Sequence, residues 1–164
     1  MRKKSTKEKL VITRNLNAPR ELVWEAWTNP ETIKQWWGPK DFSCPYARID
    51  LRKGGSYLIC MRSPEGKDYW STGIYKEVFP PQKVICSDSF ADPDGNIVPA
   101  SYYGFEEAFP LVMEFELMLD EINTKTRMTL IHTGIPEGVR SEQTKTGWNQ
   151  SFDKLEAYFR TSSQ

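Results

Sequence analysis

Residues 138–160 read GVRSEQTKTGWNQSFDKLEAYFR. Trp148, Phe152, Leu155 and Phe159 recur at steps of four, three and four, which puts them on one stripe of a helix. Burying four such side chains is worth roughly 1.5–3 kcal/mol each, far more than helix propensity supplies, so this half of the helix needs an apolar partner surface. The stripe then stops. Continued towards the N-terminus, the same face shows Thr144 and Ser141, with Gly147 and Gln143 beside them, where a helix packed on a core would carry Leu or Ile. The pattern predicts a helix anchored at its C-terminal half, with the other half roofing a space that is not fully filled.

The partner surface is legible just upstream. Leu111, Met113, Phe115, Leu117 and Leu119 alternate with Glu114 and Glu116, and after a turn over Asp120 to Lys125, Met128, Leu130 and His132 share one face while Arg127 and Thr129 look outward. Period-two alternation of this kind reads as strands with one apolar and one wet face. Strand signals run back to Cys44, punctuated by Lys53-Gly54-Gly55, Ser63-Pro64-Glu65-Gly66 and Pro80-Pro81. Turns this tight join antiparallel neighbours, because a parallel pair needs a crossover of a dozen or more residues. Before them lie a strand over Leu10 to Leu16 and two short helices. The first starts at Pro19, carries Leu22, Val23, Ala26 and Trp27 on its apolar face and ends at Pro30; Asn29 caps the second, which bears Ile33, Trp36 and Trp37 and stops at Gly38-Pro39.

The expected order is strand, two helices, six strands and a long helix. The class is α+β, a curved antiparallel sheet of about seven strands around the C-terminal helix, the only long amphipathic element available to cover the sheet. At about 1.5 Å per residue that helix runs on the order of 34 Å, enough to cross the sheet. The stretch from Ala91 to Phe109, with Tyr102, Tyr103 and Phe105, is the longest irregular segment. It reads equally as a binding loop or as a surface loop held down by its own aromatics.

The 164 residues suit one domain over 9–164, preceded by a basic flexible head over residues 1–8. Twenty-two basic and 22 acidic residues cancel, so no global field attracts nucleic acid or an anionic membrane. No apolar run is long enough to span a bilayer and no secretory signal follows the basic head, so a cytoplasmic location without membrane insertion is expected. Cys44, Cys60 and Cys86 are odd in number and lack Cys-x-x-Cys spacing, which argues for buried free thiols rather than disulfides or a zinc site.

The run from Ala18 to Trp27, followed by Asn29-Pro30-Glu31 and Trp36-Trp37-Gly38-Pro39, resembles the activator of heat-shock protein 90 ATPase homologue family, a branch of the START-like (SRPBCC) superfamily. The resemblance continues through Asp50 to Gly55, Met61 to Gly66, Gly73-Ile74-Tyr75 and Gly147-Trp148. It implies a helix-grip fold, in which the sheet grips the long helix around a cavity. It does not imply one activity, because the superfamily spans lipid carriers, hormone receptors, polyketide cyclases and co-chaperone domains.

The expected function is therefore non-enzymatic binding of a hydrophobic or amphipathic small molecule between sheet and helix. Two alternatives stand beside it: a protein-partner role in chaperone ATPase activation, and a cyclase- or hydrolase-type enzyme using the same cavity. The expected lining is Met61, Trp70, Tyr75, Met113, Phe115, Met128, His132, Ser141, Thr144 and Trp148, with Trp36 and Trp37 at the entrance. No catalytic residue is assigned. His132, the one histidine, and Asp88 are the candidates for proton transfer, but a strand histidine is more often a satisfied core residue, and a bend turning Asp88 outward is the simpler expectation. No metal site and no cofactor motif are read.

Overall fold

The computed structural model of the chain describes residues 7–105 and 109–162. Strand β1 (Lys7–Leu16) leads into helices α1 (Arg20–Thr28) and α2 (Pro30–Ile33). Strands β2 (Ser43–Ile49), β3 (Ser56–Arg62), β4 (Asp68–Phe79) and β5 (Lys83–Ala91) follow, then a 3-10 turn over Ala100–Tyr103, strands β6 (Met113–Ile122) and β7 (Lys125–Pro136), and helix α3 (Val139–Ser162). The strands form one antiparallel sheet in the order β1-β7-β6-β5-β4-β3-β2. Strands β2 to β7 are a plain meander. The first strand closes the far edge against β7, so α1 and α2 must carry the chain from one edge of the sheet to the other, and they cover one end of its concave face. Among the described residues no helix is long and apolar enough to cross a membrane.

Strand register lines the inner face up in rows. Leu10, His132, Phe115, Cys86 and Tyr75 are successive cross-strand partners, as are Ile12, Leu130, Leu117 and Val84. The second row is apolar throughout and lies under the anchored half of α3, where Phe152 and Leu155 are fully buried. Asn123, in the left-handed region at φ 60, closes the two-residue turn that sets the β6–β7 register.

Several local expectations shift. Strand β1 begins at Lys7 rather than Leu10, inside the expected head, whose residues 1–6 lie outside the described residues, as do residues 106–108 of the long irregular stretch. Pro19 sits at the cap of α1 with extended backbone, one position before the first helical residue. Asn29 caps α2 as expected, its side chain accepting from the Glu31 amide, but the helix ends at Ile33. The next turn instead drives Trp36 inward, where its indole N–H donates to the Ala26 carbonyl at 3.0 Å. Leu22 is half-exposed because a nine-residue helix touches the core along the Val23, Ala26 and Trp27 side only. Leu111 is also exposed. The β5–β6 ladder ends at the Asp88–Met113 pair, leaving Leu111 beyond it. All three cysteines are free and buried.

Candidate ligand cavity

Helix α3 meets two different spaces. Under its C-terminal half, Trp27, Trp36 and Trp37 from the α1–α2 segment stand edge to face with ring centroids 4.9–6.0 Å apart, and Trp27 and Trp36 pack on Phe152. The void beside them, bounded by the α1–α2 segment and the sheet, is about 20 Å³, room for one water at most. Under its N-terminal half the same sheet and helix enclose about 450 Å³, within the usual range of small-molecule sites.

The floor of this cavity is Met61, Tyr69, Asp88, Phe90, Met113, His132 and Ile135 from the sheet; the roof is Arg140, Gln143, Thr144, Gly147, Trp148 and Ser151 from α3. Trp37, Gly38, Pro39 and Phe42 form the end wall, and Phe105 and Phe109 close the side towards the long loop. The end wall is tied to the roof. Lys154 reaches the carbonyl oxygens of Trp37, Pro39 and Phe42 at 3.5, 3.2 and 3.1 Å, and Gln150 accepts the Lys40 amide at 3.1 Å. Burial lowers the Lys154 ammonium from its ordinary value, and these three carbonyls supply the polar contacts that a charge leaving water requires. Thr144 returns its hydroxyl to the Arg140 carbonyl at 2.8 Å, so the roof presents mainly methyl and backbone there.

Of the residues expected from sequence, Trp37, Met61, Trp70, Met113, His132, Thr144 and Trp148 border the cavity, although the Trp70 ring lies against Tyr46. Five do not. Trp36 is fully buried in the filled half, and Met128 is likewise, its sulfur accepting the Trp27 indole N–H at 3.3 Å. Tyr75 and Phe115 border the 20 Å³ void instead. Ser141 is buried off the cavity. The face was read correctly for the strand residues, but side-chain parity does not say where on that face a residue lies, along the strand or across the sheet, and that decides which space it meets.

Asp88 corrects the expectation of an outward bend. It lies on the inner face, its Oδ2 3.0 Å from His132 Nε2 and its Oδ1 accepting from the Tyr57 hydroxyl at 2.9 Å. The Trp148 indole N–H donates to His132 Nδ1 at 3.1 Å. Burial, reinforced by the Asp88 charge, holds the Tyr57 phenol well above its ordinary value, so it stays a donor. Both imidazole nitrogens are thus engaged, which leaves His132 no free nitrogen for a molecule in the cavity. Asp88 has spare acceptor capacity, since each carboxylate oxygen offers two lone pairs and each takes one bond here. Tyr57, Tyr69, Phe90, Phe105 and Phe109 were missed as site residues. The parity that Phe90 shares with Asp88 was the available signal for that one, while Tyr57 reaches Asp88 from two strands away and leaves no trace in spacing. Among the described residues no third His, Cys, Asp or Glu joins Asp88 and His132 in a metal-type cluster.

A model of the family described as activator of Hsp90 ATPase homolog 1-like protein matches residues 17–160. The chain belongs to that family. Among solved structures, a protein from Nitrosomonas europaea matches 94% of this chain and 96% of its own with 26% identity and a TM-score of 0.75. One from Staphylococcus epidermidis matches 99% and 95%, with 26% identity and a TM-score of 0.75. The fold also recurs in an AHSA1 protein from Silicibacter pomeroyi, at 21% identity over 94% and 99% of the two chains and a TM-score of 0.72. A comparison with curated proteins found no match. Membership in this activator homologue family agrees with the helix-grip architecture described above.

Proposed function

We propose that this member of the activator homologue family is a small-molecule binding domain that holds an amphipathic ligand between the sheet and the first half of α3. One observation carries the reading: a space of about 450 Å³ with aromatic and aliphatic walls and polar groups gathered at Asp88 and His132. A chain under no demand to keep that space would be more stable with it filled, because each buried methylene added to a well-fitting site is worth about 0.8 kcal/mol. Native mass spectrometry of freshly purified protein is the test. A retained small molecule, lost when Met113→Trp fills the floor, supports the reading; a protein that retains nothing and binds no apolar probe, or whose binding is unchanged in M113W, overturns it.

A second reading, acid–base chemistry on the bound molecule, draws on the free acceptor capacity of Asp88 at the cavity floor. It makes Asp88, as the proton acceptor, rather than His132 the acting group. Turnover that falls about 100-fold or more in Asp88→Asn supports it, and a loss of only a few-fold dismisses it. The chaperone-partner role rests on the family description alone and ranks below both. A chaperone ATPase rate unchanged by micromolar protein would remove it.

A further inference from the structure

Four side chains form one hydrogen-bond chain at the inner end of the cavity, and it ends on Asp88. An indole nitrogen can only donate, so the 3.1 Å contact from Trp148 Nε1 makes His132 Nδ1 an acceptor. The ring proton therefore sits on Nε2 and is donated to Asp88 Oδ2, while Tyr57 donates to Oδ1. A carboxylate that only accepts is ionised. His132 Nδ1 is already taken up by the Trp148 N–H, so the ring offers Asp88 a hydrogen bond from Nε2. Among the described residues His132 is the sole ion-pair partner within reach of Asp88. Among the described residues the one cationic side chain on the cavity wall is Arg140. It lies eight residues before Trp148 on α3, about 12 Å along the helix, with its guanidinium on the Phe105 ring at 5.0 Å and Nη1 donating to Gln143.

The inner end thus holds a negative charge that is 17% exposed, retains unused lone pairs, and is bordered by the rings of Phe90 and Trp148. We infer that the ligand is an organic ammonium ion, an amine whose protonated nitrogen binds Asp88 and whose apolar body fills the rest of the space. This rests on the reading of the space as a ligand cavity and adds the chemical class. A neutral alcohol or phenol can supply a hydrogen bond but leaves the charge uncompensated, and a carboxylic acid meets repulsion. An ammonium supplies a charge-assisted bond and also finds aromatic faces that attract cations.

Titration calorimetry with three probes of similar shape tests this: 2-(1-naphthyl)ethylamine, 2-(1-naphthyl)ethanol and 1-naphthylacetate. The amine is expected to bind the wild-type chain about tenfold or more tightly than the alcohol, with the acid weakest. In Asp88→Asn the amine is expected to fall to the level of the alcohol, and the alcohol to change by less than about threefold. If D88N does not fold, the wild-type ranking decides alone. An alcohol or acid that binds as tightly as the amine, or an amine preference that survives in D88N, overturns the ammonium assignment and leaves the cavity reading standing. If none of the three probes binds, both fall together.

Discussion

The two halves of α3 lie on the same sheet, in the same antiparallel ladder, yet one is filled and the other hollow. The difference comes from what stands opposite. Between Phe152 and Phe159 the helix meets long side chains, and the tryptophans of the α1–α2 segment close the end. Between Arg140 and Gly147 its inward side carries Thr144 and Gly147, and the tryptophans of the α1–α2 segment pack on Trp148 at the near end of that span. Strand pairing therefore decides which face is inside, while the bulk contributed by a short helical excursion decides which part of the inside is occupied. Thr144, one of the small polar residues that broke the stripe, lies over the part that is not filled.

The contrast can be broken most directly by truncation. Phe152→Ala in the filled half is expected to cost about 3–5 kcal/mol, because its surroundings are packed and leave a cavity. Met113→Ala, already beside open space, is expected to cost less than half as much. Urea denaturation of both variants decides, and equal losses would mean that the two halves are not differently packed. Next in size is Trp148→Phe, which keeps an aromatic ring but removes the donor to His132 Nδ1. A loss of about 1–2 kcal/mol is expected from the orphaned acceptor; no loss would show that the chain of hydrogen bonds contributes nothing to holding the roof.

Alkaline pH probes the filled half through its acids. Burial pushes the Cys44 thiol up to about 12, far above its ordinary value, and raises Cys86 and Tyr57 well above theirs. For groups raised in the folded state, the stabilising contribution is fully present below the unfolded pKa and is lost as pH climbs towards the folded one. Stability should therefore hold up to about pH 9 and then fall, by roughly 1 kcal/mol per buried thiol between pH 9 and 10. Melting curves across that window check the sign, and a flat profile would contradict the burial. Thiol titration of the native chain at pH 8 should leave all three cysteines unmodified, with modification appearing only on unfolding. The smallest effect is a gain. An added Cβ at Gly147 would meet only the Pro39 ring, at 3.5 Å, so Gly147→Ala should stabilise the chain by about 0.5–1 kcal/mol through helix propensity. A destabilised variant would mean that roof and end wall fit more closely than this distance implies.

The fold was readable because its signals are local and periodic. The Trp148–Phe159 stripe, the alternation from Met113 to Leu119 and the tight turns each report on their own element, and the family resemblance spans them in order. The site was readable only as a face. Phe115, Met128 and Tyr75 have the correct inward parity and still miss the cavity, because a residue's place on the sheet relative to the α1–α2 tryptophans is a tertiary quantity. Trp36 illustrates the opposite failure. It neighbours Trp37 in sequence, but a change from helix to turn after Ile33 sends one indole to the Ala26 carbonyl and the other to the cavity wall. For Asp88 the parity argument was sound, and what sequence lacked was its partners, Tyr57 at a separation of 31 residues and His132 at 44.

The grip of Lys154 on the carbonyls of Trp37, Pro39 and Phe42 bears on how anything gets in. Parting the helix from that wall would strand one ammonium and three carbonyls at once, so the two move as a single clamp. On the opposite rim the Arg140 guanidinium lies over the Phe105 ring at 5.0 Å, and Phe109 completes that side of the lining. The clamped end wall is therefore a costly place for the contents to exchange.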